Sequence, residues 1–124
     1  MALKPHMSDA SCELLAGFFA IFALAKRMRI FCALHGEPKT VTEIAEYAGV
    51  SITNASQHLR LMRDRGAVVA EKRAQNVYYR IADPRFVEAV LLIRATLLEG
   101  MQKNAAQASA PAPARRRARG LQIA

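Results

Sequence analysis

The feature that most constrains this fold is a pair of short helical segments separated by a three-residue turn. Thr40 and Glu43 have the spacing of a capping box, in which each side chain accepts a hydrogen bond from a free backbone N–H of the other residue. Gly49-Val50-Ser51 supplies a left-handed helix end and then the N-cap of a second helix, Ile52 to about Asp64. The first helix has apolar residues at helical spacing, which predict its buried face: Val41, Ile44, Ala45 and Ala48. The pattern predicts a helix-turn-helix over about residues 40–64.

Two further helices are predicted before this motif. The first runs from Ser8 or Asp9 to Ala23 and is apolar on more than one side, which is typical of a helix that is central in a core or shared with a partner chain. The second covers about residues 24–35 and ends at Gly36. Its predicted buried stripe consists of Leu24, Met28, Phe31, Cys32 and His35.

A β-hairpin and a last helix are predicted after the motif. The runs Ala67–Lys72 and Val77–Ala82 have the composition of strands, and the polar residues 73–76 between them suit a hairpin tip. Asp83-Pro84 begins a helix that reaches about Met101, with Asp as the N-cap and Pro at the first helical position. Its apolar residues form two stripes: Phe86, Val90, Ile93, Leu97 and Met101 on one, and Val87, Leu91 and Leu98 on the other.

This order of elements predicts a mainly α fold with a small β-hairpin wing, a winged helix-turn-helix with an additional helix at each end. The first and last helices have more apolar surface than one small core covers, so we expect a homodimer that forms through these two helices. The domain is predicted to span residues 1–104. Residues 105–124 are rich in Ala, Pro and Arg and are predicted to form a disordered basic tail.

The charge balance indicates a polyanionic partner. Lys and Arg number 18 and Asp and Glu 10, which leaves a net charge of +8 and favours nucleic acid or an anionic membrane surface. The longest apolar run, Leu14–Ala25, is shorter than the about 20 residues that span a bilayer. Its charged flanks do not suit a signal peptide, so we expect a soluble cytoplasmic protein that does not bind a membrane. The two cysteines form no zinc-finger pattern, and no catalytic constellation appears, so we expect neither a metal, a cofactor nor an enzyme.

A helical wheel of residues 52–64 separates a buried stripe of Ala55, Leu59 and Met62 from a polar arc. Gln and Asn side chains pair with adenine, Arg pairs with guanine or phosphate, and Ser and Thr bind either. His58 lies near the buried flank of the wheel, so a packed structural role is its alternative. The candidate DNA-binding residues here are Ser51, Thr53, Asn54, Ser56, Gln57, His58 and Arg60.

The predicted hairpin tip supplies four more candidates for DNA binding: Lys72, Arg73, Gln75 and Asn76. Such a wing contacts phosphates or the minor groove and adds affinity with little base specificity. A solvated turn is the alternative. The basic tail has two interpretations, a non-specific DNA-binding arm or a solubilising end.

Three segments together resemble the ArsR/SmtB family of bacterial repressors: Lys26-Arg27-Met28-Arg29-Ile30, Val50-Ser51 with Ser56-Gln57-His58-Leu59, and Val77-Tyr78-Tyr79-Arg80-Ile81. The resemblance covers roughly residues 10–102. It implies a homodimeric winged helix that binds double-stranded DNA at an inverted-repeat operator. It also implies release by an inducer, often a metal ion or a thiol-reactive signal.

The chain departs from that family at its sensor sites. The metal-binding cysteines of the third helix are absent from residues 42–47, and the last helix lacks histidine. Ile52 stands where a polar residue is commoner, and Ala74 stands where the wing often has Gly, a change expected to stiffen the tip. Cys32 matches the second-helix cysteine of the sulfide-responsive, BigR-like branch, and Cys12 is its one possible intramolecular partner. Thiol sensing, metal binding and an inert buried thiol stay open as alternatives.

The sequence supports three hypotheses for function. The leading one is a sequence-specific transcriptional regulator, most simply a repressor. The second is a non-specific or architectural DNA-binding protein that has no inducer. The third is a winged helix that serves only as a protein-interaction module.

Overall fold

The computed structural model describes residues 6–109, and residues 110–124 of the predicted tail lie outside the described residues. Helices dominate this part of the chain, and a small antiparallel sheet accompanies them. The elements are α1 (Asp9–Ala20), a 3-10 turn (Ile21–Ala23), α2 (Ala25–Ala33), β1 (Lys39–Thr40), α3 (Val41–Ala48), α4 (Ile52–Asp64), β2 (Val68–Arg73), β3 (Asn76–Ile81) and α5 (Pro84–Ser109). The predicted winged helix-turn-helix is therefore confirmed.

Local signals set the ends of most helices. The Ser8 side chain accepts a hydrogen bond from the backbone N–H of Ser11 and so caps α1. The last predicted turn of that helix is a 3-10 turn instead. The last helix is longer than predicted, because α5 continues to Ser109 and residues 105–109 are helical rather than part of a disordered tail. Alanine is the best helix former, which explains why an Ala-rich segment extends the helix.

The sheet contains a strand that the sequence did not predict. β1 pairs antiparallel with β3 through Lys39–Tyr79 and Thr40–Tyr78, which puts β3 between β1 and β2. Two residues are too short to display a strand periodicity. The pairing places the start of α3 at the root of the wing, because Thr40 is both the end of β1 and the N-cap of α3.

Contacts divide the described part of the chain after Val87 into two units, residues 6–87 and residues 88–109. The core of the first unit is formed by residues of the helices and of β2, whose fully buried large side chains are Ile21, Ile30, Ile44, Leu59, Met62 and Val68. Aromatic rings extend it, since Phe18 packs against Phe86 with ring centroids 4.7 Å apart. In the second unit, the large apolar residues of α5 are exposed: Leu91, Leu92, Ile93, Leu97, Leu98 and Met101.

The predicted buried stripe of α2 is wrong at three positions. Leu24, Cys32 and His35 are exposed, and Met28 is half-buried. Phe31 is buried as predicted, and the other residues of this segment that enter the core are Ile30, Ala33 and Leu34. α2 has apolar residues on several sides, so two different faces satisfy helical spacing. The neighbouring helices decide which face is covered.

The hairpin tip is shorter than predicted and contains a strained residue. Ala74 and Gln75 join β2 to β3, and Ala74 has a φ of 56°. This left-handed conformation costs an L-residue about 1–2 kcal/mol, whereas Gly adopts it freely at an entropic cost of about 0.4–1 kcal/mol in the unfolded chain. We expect Ala74→Gly to raise the free energy of unfolding by up to about 1 kcal/mol, measured by urea denaturation.

The same substitution in a helix provides the control for this prediction. Ala95 is exposed in α5, where a glycine costs about 1 kcal/mol. Ala95→Gly should therefore lower the free energy of unfolding while Ala74→Gly raises it. Equal losses for the two variants would contradict strain at the tip.

The start of α5 follows its predicted cap. The Asp83 carboxylate accepts hydrogen bonds from the backbone N–H, Nε and Nη2 of Arg85 at 2.8, 3.1 and 2.9 Å. These hydrogen bonds, first those from the side chain and then that from the backbone, lower the pKa of Asp83 from 3.8 to about 2. The Asp83 carboxylate thereby caps the first turn of α5.

This pKa predicts a loss of stability in acid. A carboxyl whose pKa is lower in the folded state stabilises the fold above its unfolded pKa of 3.8, and that contribution disappears as the pH falls through about 2. We expect an NMR titration of the Asp83 carboxyl carbon to have its midpoint near pH 2. Arg85→Gln should move the midpoint toward pH 3.8, and a midpoint of 3.8 in the parent would contradict the capping interaction.

Candidate nucleic-acid interface

α4 has one buried side and one exposed side, as predicted. Ala55, Leu59 and Met62 are 0% exposed and pack into the core of the first unit. Outside this stripe, six polar residues of α4 and its N-cap are all exposed, and they are called the reading face hereafter: Ser51, Thr53, Asn54, Ser56, Gln57 and Arg60. Because the opposite stripe is completely buried, the helix cannot rotate, and these side chains are held toward solvent.

The turn before α4 orients this reading face. The Thr40 backbone N–H donates to Glu43 Oε1 at 2.9 Å, and the Glu43 N–H donates to Thr40 Oγ1 at 3.3 Å. Gly49 ends α3 with a φ of 73°, the left-handed conformation that glycine favours. The Ser51 hydroxyl then accepts from the Asn54 N–H at 3.0 Å. The predicted capping box, glycine stop and N-cap are thus confirmed.

His58 lies on the flank of α4 and is half-buried. Burial of the imidazole lowers the pKa of His58 below its usual 6.5, and the positive charges of Arg27 and Lys26 lower it further. The ring is therefore neutral near pH 7. This electrostatic influence of the first turn of α2 was not predicted from the sequence, although the run Lys26-Arg27 marks that turn as basic.

The wing places its predicted residues at the exposed tip. Lys72, Arg73, Gln75 and Asn76 are all exposed. Arg73 differs from the others because its Nη2 lies 3.4 Å from Glu71 Oε1 and its guanidinium lies 5.1 Å from the ring centre of Tyr78. These interactions hold Arg73 along the hairpin, and the strand register gives the tip a defined geometry.

The structure corrects the expectation of a buried thiol. Cys32 is exposed, as is Cys12, and both are free cysteines. Within the described residues, no group of three or more His, Cys, Asp and Glu side chains has the arrangement of a metal site. None of the helices over residues 6–109 combines the length and apolar character that a bilayer crossing requires.

Comparisons with known proteins agree with this geometry. Residues 25–71, which include α3 and α4, match a protein-family model described as a helix-turn-helix domain. The chain is 38% identical over 90 residues to the HTH-type transcriptional regulator YgaV of Escherichia coli (strain K12), an alignment that covers 72% of this chain and 87% of that protein.

Two solved structures from mycobacteria are similar over most of the chain. The crystal structure of Rv0081 from M. tuberculosis has a TM-score of 0.72 and 28% identity, covering 79% of this chain and 99% of that one. The solution structure of the homodimeric winged helix-turn-helix DNA-binding domain of Mb0332 from Mycobacterium bovis, a possible ArsR-family regulator, has a TM-score of 0.71 and 25% identity. It covers 81% of this chain and 95% of that domain.

Proposed function

Because this chain belongs to the ArsR/SmtB family of winged helix-turn-helix, DNA-binding transcriptional regulators, we propose that it is a homodimeric repressor of an inverted-repeat operator. One observation carries the proposal. The polar residues of α4 form a continuous exposed reading face whose opposite stripe is buried. A helix held in this way can enter the major groove of DNA and present its first turns to the base edges.

We assign different roles to α4 and to the wing. Thr53, Asn54, Gln57 and Arg60 are the candidate base readers. Amide and hydroxyl groups both donate and accept hydrogen bonds, and a guanidinium group can donate two hydrogen bonds to guanine. Lys72, Gln75 and Asn76 are exposed at the tip of the wing. They are the candidates for contacts to the phosphates of the DNA backbone or to the minor groove.

The two-fold symmetry of the operator would follow from a dimer of this chain. α5 leaves Leu97 and Met101 58% and 64% exposed, and α1 leaves Leu14 75% exposed. Apolar surface of this extent on helices indicates a partner. A second copy is the occupant we propose, because a homodimer also places two copies of α4 about one helical turn of DNA apart.

The test is a binding titration on the DNA upstream of this protein's own gene. We expect specific binding to an inverted repeat there, weaker binding to one half-site, and a steep loss of affinity as the salt concentration rises. Equal affinity for random-sequence DNA would favour the architectural function instead. An absence of DNA binding at low salt would favour a protein-interaction module.

A second proposal concerns the signal that releases the DNA. Cys12 and Cys32 are free and exposed, so a thiol-reactive compound has access to both. We propose that modification of one or both lowers operator affinity. The experiment compares binding by reduced, oxidised and persulfide-treated protein, with Cys12→Ser and Cys32→Ser as variants. Identical binding in every condition would eliminate thiol control.

A further inference from the structure

Helices α2 and α4 are in contact, and two cations of the first turn of α2 act electrostatically on a histidine of α4. These three residues, Lys26, Arg27 and His58, are called the basic cluster below. Lys26 is exposed, Arg27 and His58 are half-buried, and both cations act electrostatically on the imidazole. Among the described residues, the ion pairs involve Glu71 and Asp83 and reach neither Lys26 nor Arg27. The positive charge of the cluster is therefore not compensated by a carboxylate in residues 6–109.

The backbone of α2 adds to this positive charge. Leu24 is the N-cap of α2 and provides no side-chain hydrogen bond, and the first turn contains no acidic residue. A helix N-terminus has a partial positive charge, so cations in its first turn are unfavourable unless an anion is near. The Nε of Arg27 is buried and has no hydrogen-bond partner among the described residues, which is rare for a buried polar group.

The basic cluster borders the reading face of α4. Ser51, Asn54 and His58 follow one another at spacings of three and four residues, so they share one flank of the helix. Ser51 and Asn54 are exposed on that flank, next to the half-buried ring. When α4 occupies a major groove, this flank lies beside the sugar–phosphate backbone at the edge of the groove.

We propose that the basic cluster binds a phosphate of the DNA backbone, as a third contact in addition to the reading face and the wing. The proposal rests on the DNA-binding function proposed above. The Lys26 ammonium and the Arg27 guanidinium are donors suited to non-bridging phosphate oxygens. Such a contact strengthens binding to any sequence and sets the register of α4 in the groove.

A protonation change would accompany this contact. The charged groups that act on His58 within the described residues are Lys26 and Arg27, both from α2, and they favour the neutral ring. A phosphate at the cluster would favour the protonated ring, so DNA binding would take up protons. Affinity should then rise as the pH falls from about 8 to about 6, by at most about tenfold per pH unit for each proton bound.

The experiment measures DNA affinity against salt for Lys26→Gln. Removing one phosphate interaction makes the slope of log K against log salt shallower by about 0.9, so a dimer substituted in both copies should have a slope shallower by about 2. The affinity gap between the parent and the variant should accordingly shrink about tenfold between about 50 and 200 mM salt. The probes are a duplex from upstream of the protein's own gene and a duplex of random sequence, and binding to both should weaken equally.

Arg29→Gln is the matched control, since Arg29 is an exposed cation of the same helix that does not act on His58. It should leave the salt slope unchanged. Arg27→Lys keeps the charge of the half-buried position and should therefore keep the parent's salt slope. His58→Gln should remove the pH dependence of DNA affinity. If Lys26→Gln keeps the parent's slope, or if Arg29→Gln lowers it equally, the phosphate site is wrong. Failure of the parent to prefer its upstream duplex would instead contradict the proposed repressor function.

Discussion

Gln57→Ala and Arg60→Ala should each abolish the preference for the operator while the protein stays folded. A bidentate contact to a base contributes about 1–3 kcal/mol of discrimination, and a homodimer makes each contact twice. The expected loss for each variant is therefore about 2–6 kcal/mol, or roughly 30-fold to 10⁴-fold in operator affinity. Both side chains are exposed, so their truncation should leave the thermal midpoint of unfolding almost unchanged.

The measurement is the ratio of affinities for the operator and for random-sequence DNA, taken at one salt concentration. Arg63→Ala is the matched control, because Arg63 is an exposed cation in the last turn of α4. Its removal should weaken binding to both duplexes by the same factor and keep the ratio. An unchanged ratio for Gln57→Ala and Arg60→Ala would show that another surface reads the DNA.

Leu97→Glu should separate the dimer into monomers. Leu97 is 58% exposed on α5, and burying a leucine contributes about 1.5–3 kcal/mol, counted twice in a symmetric dimer. Replacement by a charged residue should raise the dimer dissociation constant by about 10³-fold or more. Sedimentation velocity over a range of protein concentrations measures this change. Operator affinity should fall with the dimer, because a monomer binds only one half-site.

Thr96→Glu is the control for this variant. It introduces the same charge one residue earlier, which is about 100° around the helix from Leu97. The Thr96 hydroxyl donates to the Leu92 carbonyl at 2.8 Å within α5, so it contributes to its own helix. This variant should remain a dimer. Unchanged dimerisation by Leu97→Glu would place the subunit contact elsewhere.

The helix-turn-helix was predictable because its signals act over short distances. The capping box of Thr40 and Glu43, the left-handed Gly49 and the N-cap Ser51 each act within one helical turn. The inner stripe of α4 was predictable for a related reason. Its apolar and polar residues are cleanly separated by helical spacing, so one face alone could enter a core. These signals sufficed to predict the exposed reading face.

The prediction was wrong for α2 because its sequence admits two buried faces. Ile30 and Leu34 satisfy helical spacing as well as Met28 and Cys32 do. Packing against the other helices buried Ile30 and Leu34 and left Cys32 exposed. The end of α5 differs from its prediction for another reason. Low complexity is typical of disorder, but the alanine that dominates this segment also favours helix, and the helix continues to Ser109.

Local sequence was enough to fix the order of the main elements, the boundaries of α4 and the residues of its reading face, because caps and periodicity depend on neighbours within a few positions. Tertiary packing was needed to select the buried side of α2, to join Lys39 and Thr40 to the wing as a third strand, and to bring the charges of Lys26 and Arg27 within electrostatic reach of His58. Each of these depends on contacts between segments that are distant in the chain. Such contacts are set by which surfaces pack together, and no local pattern encodes them.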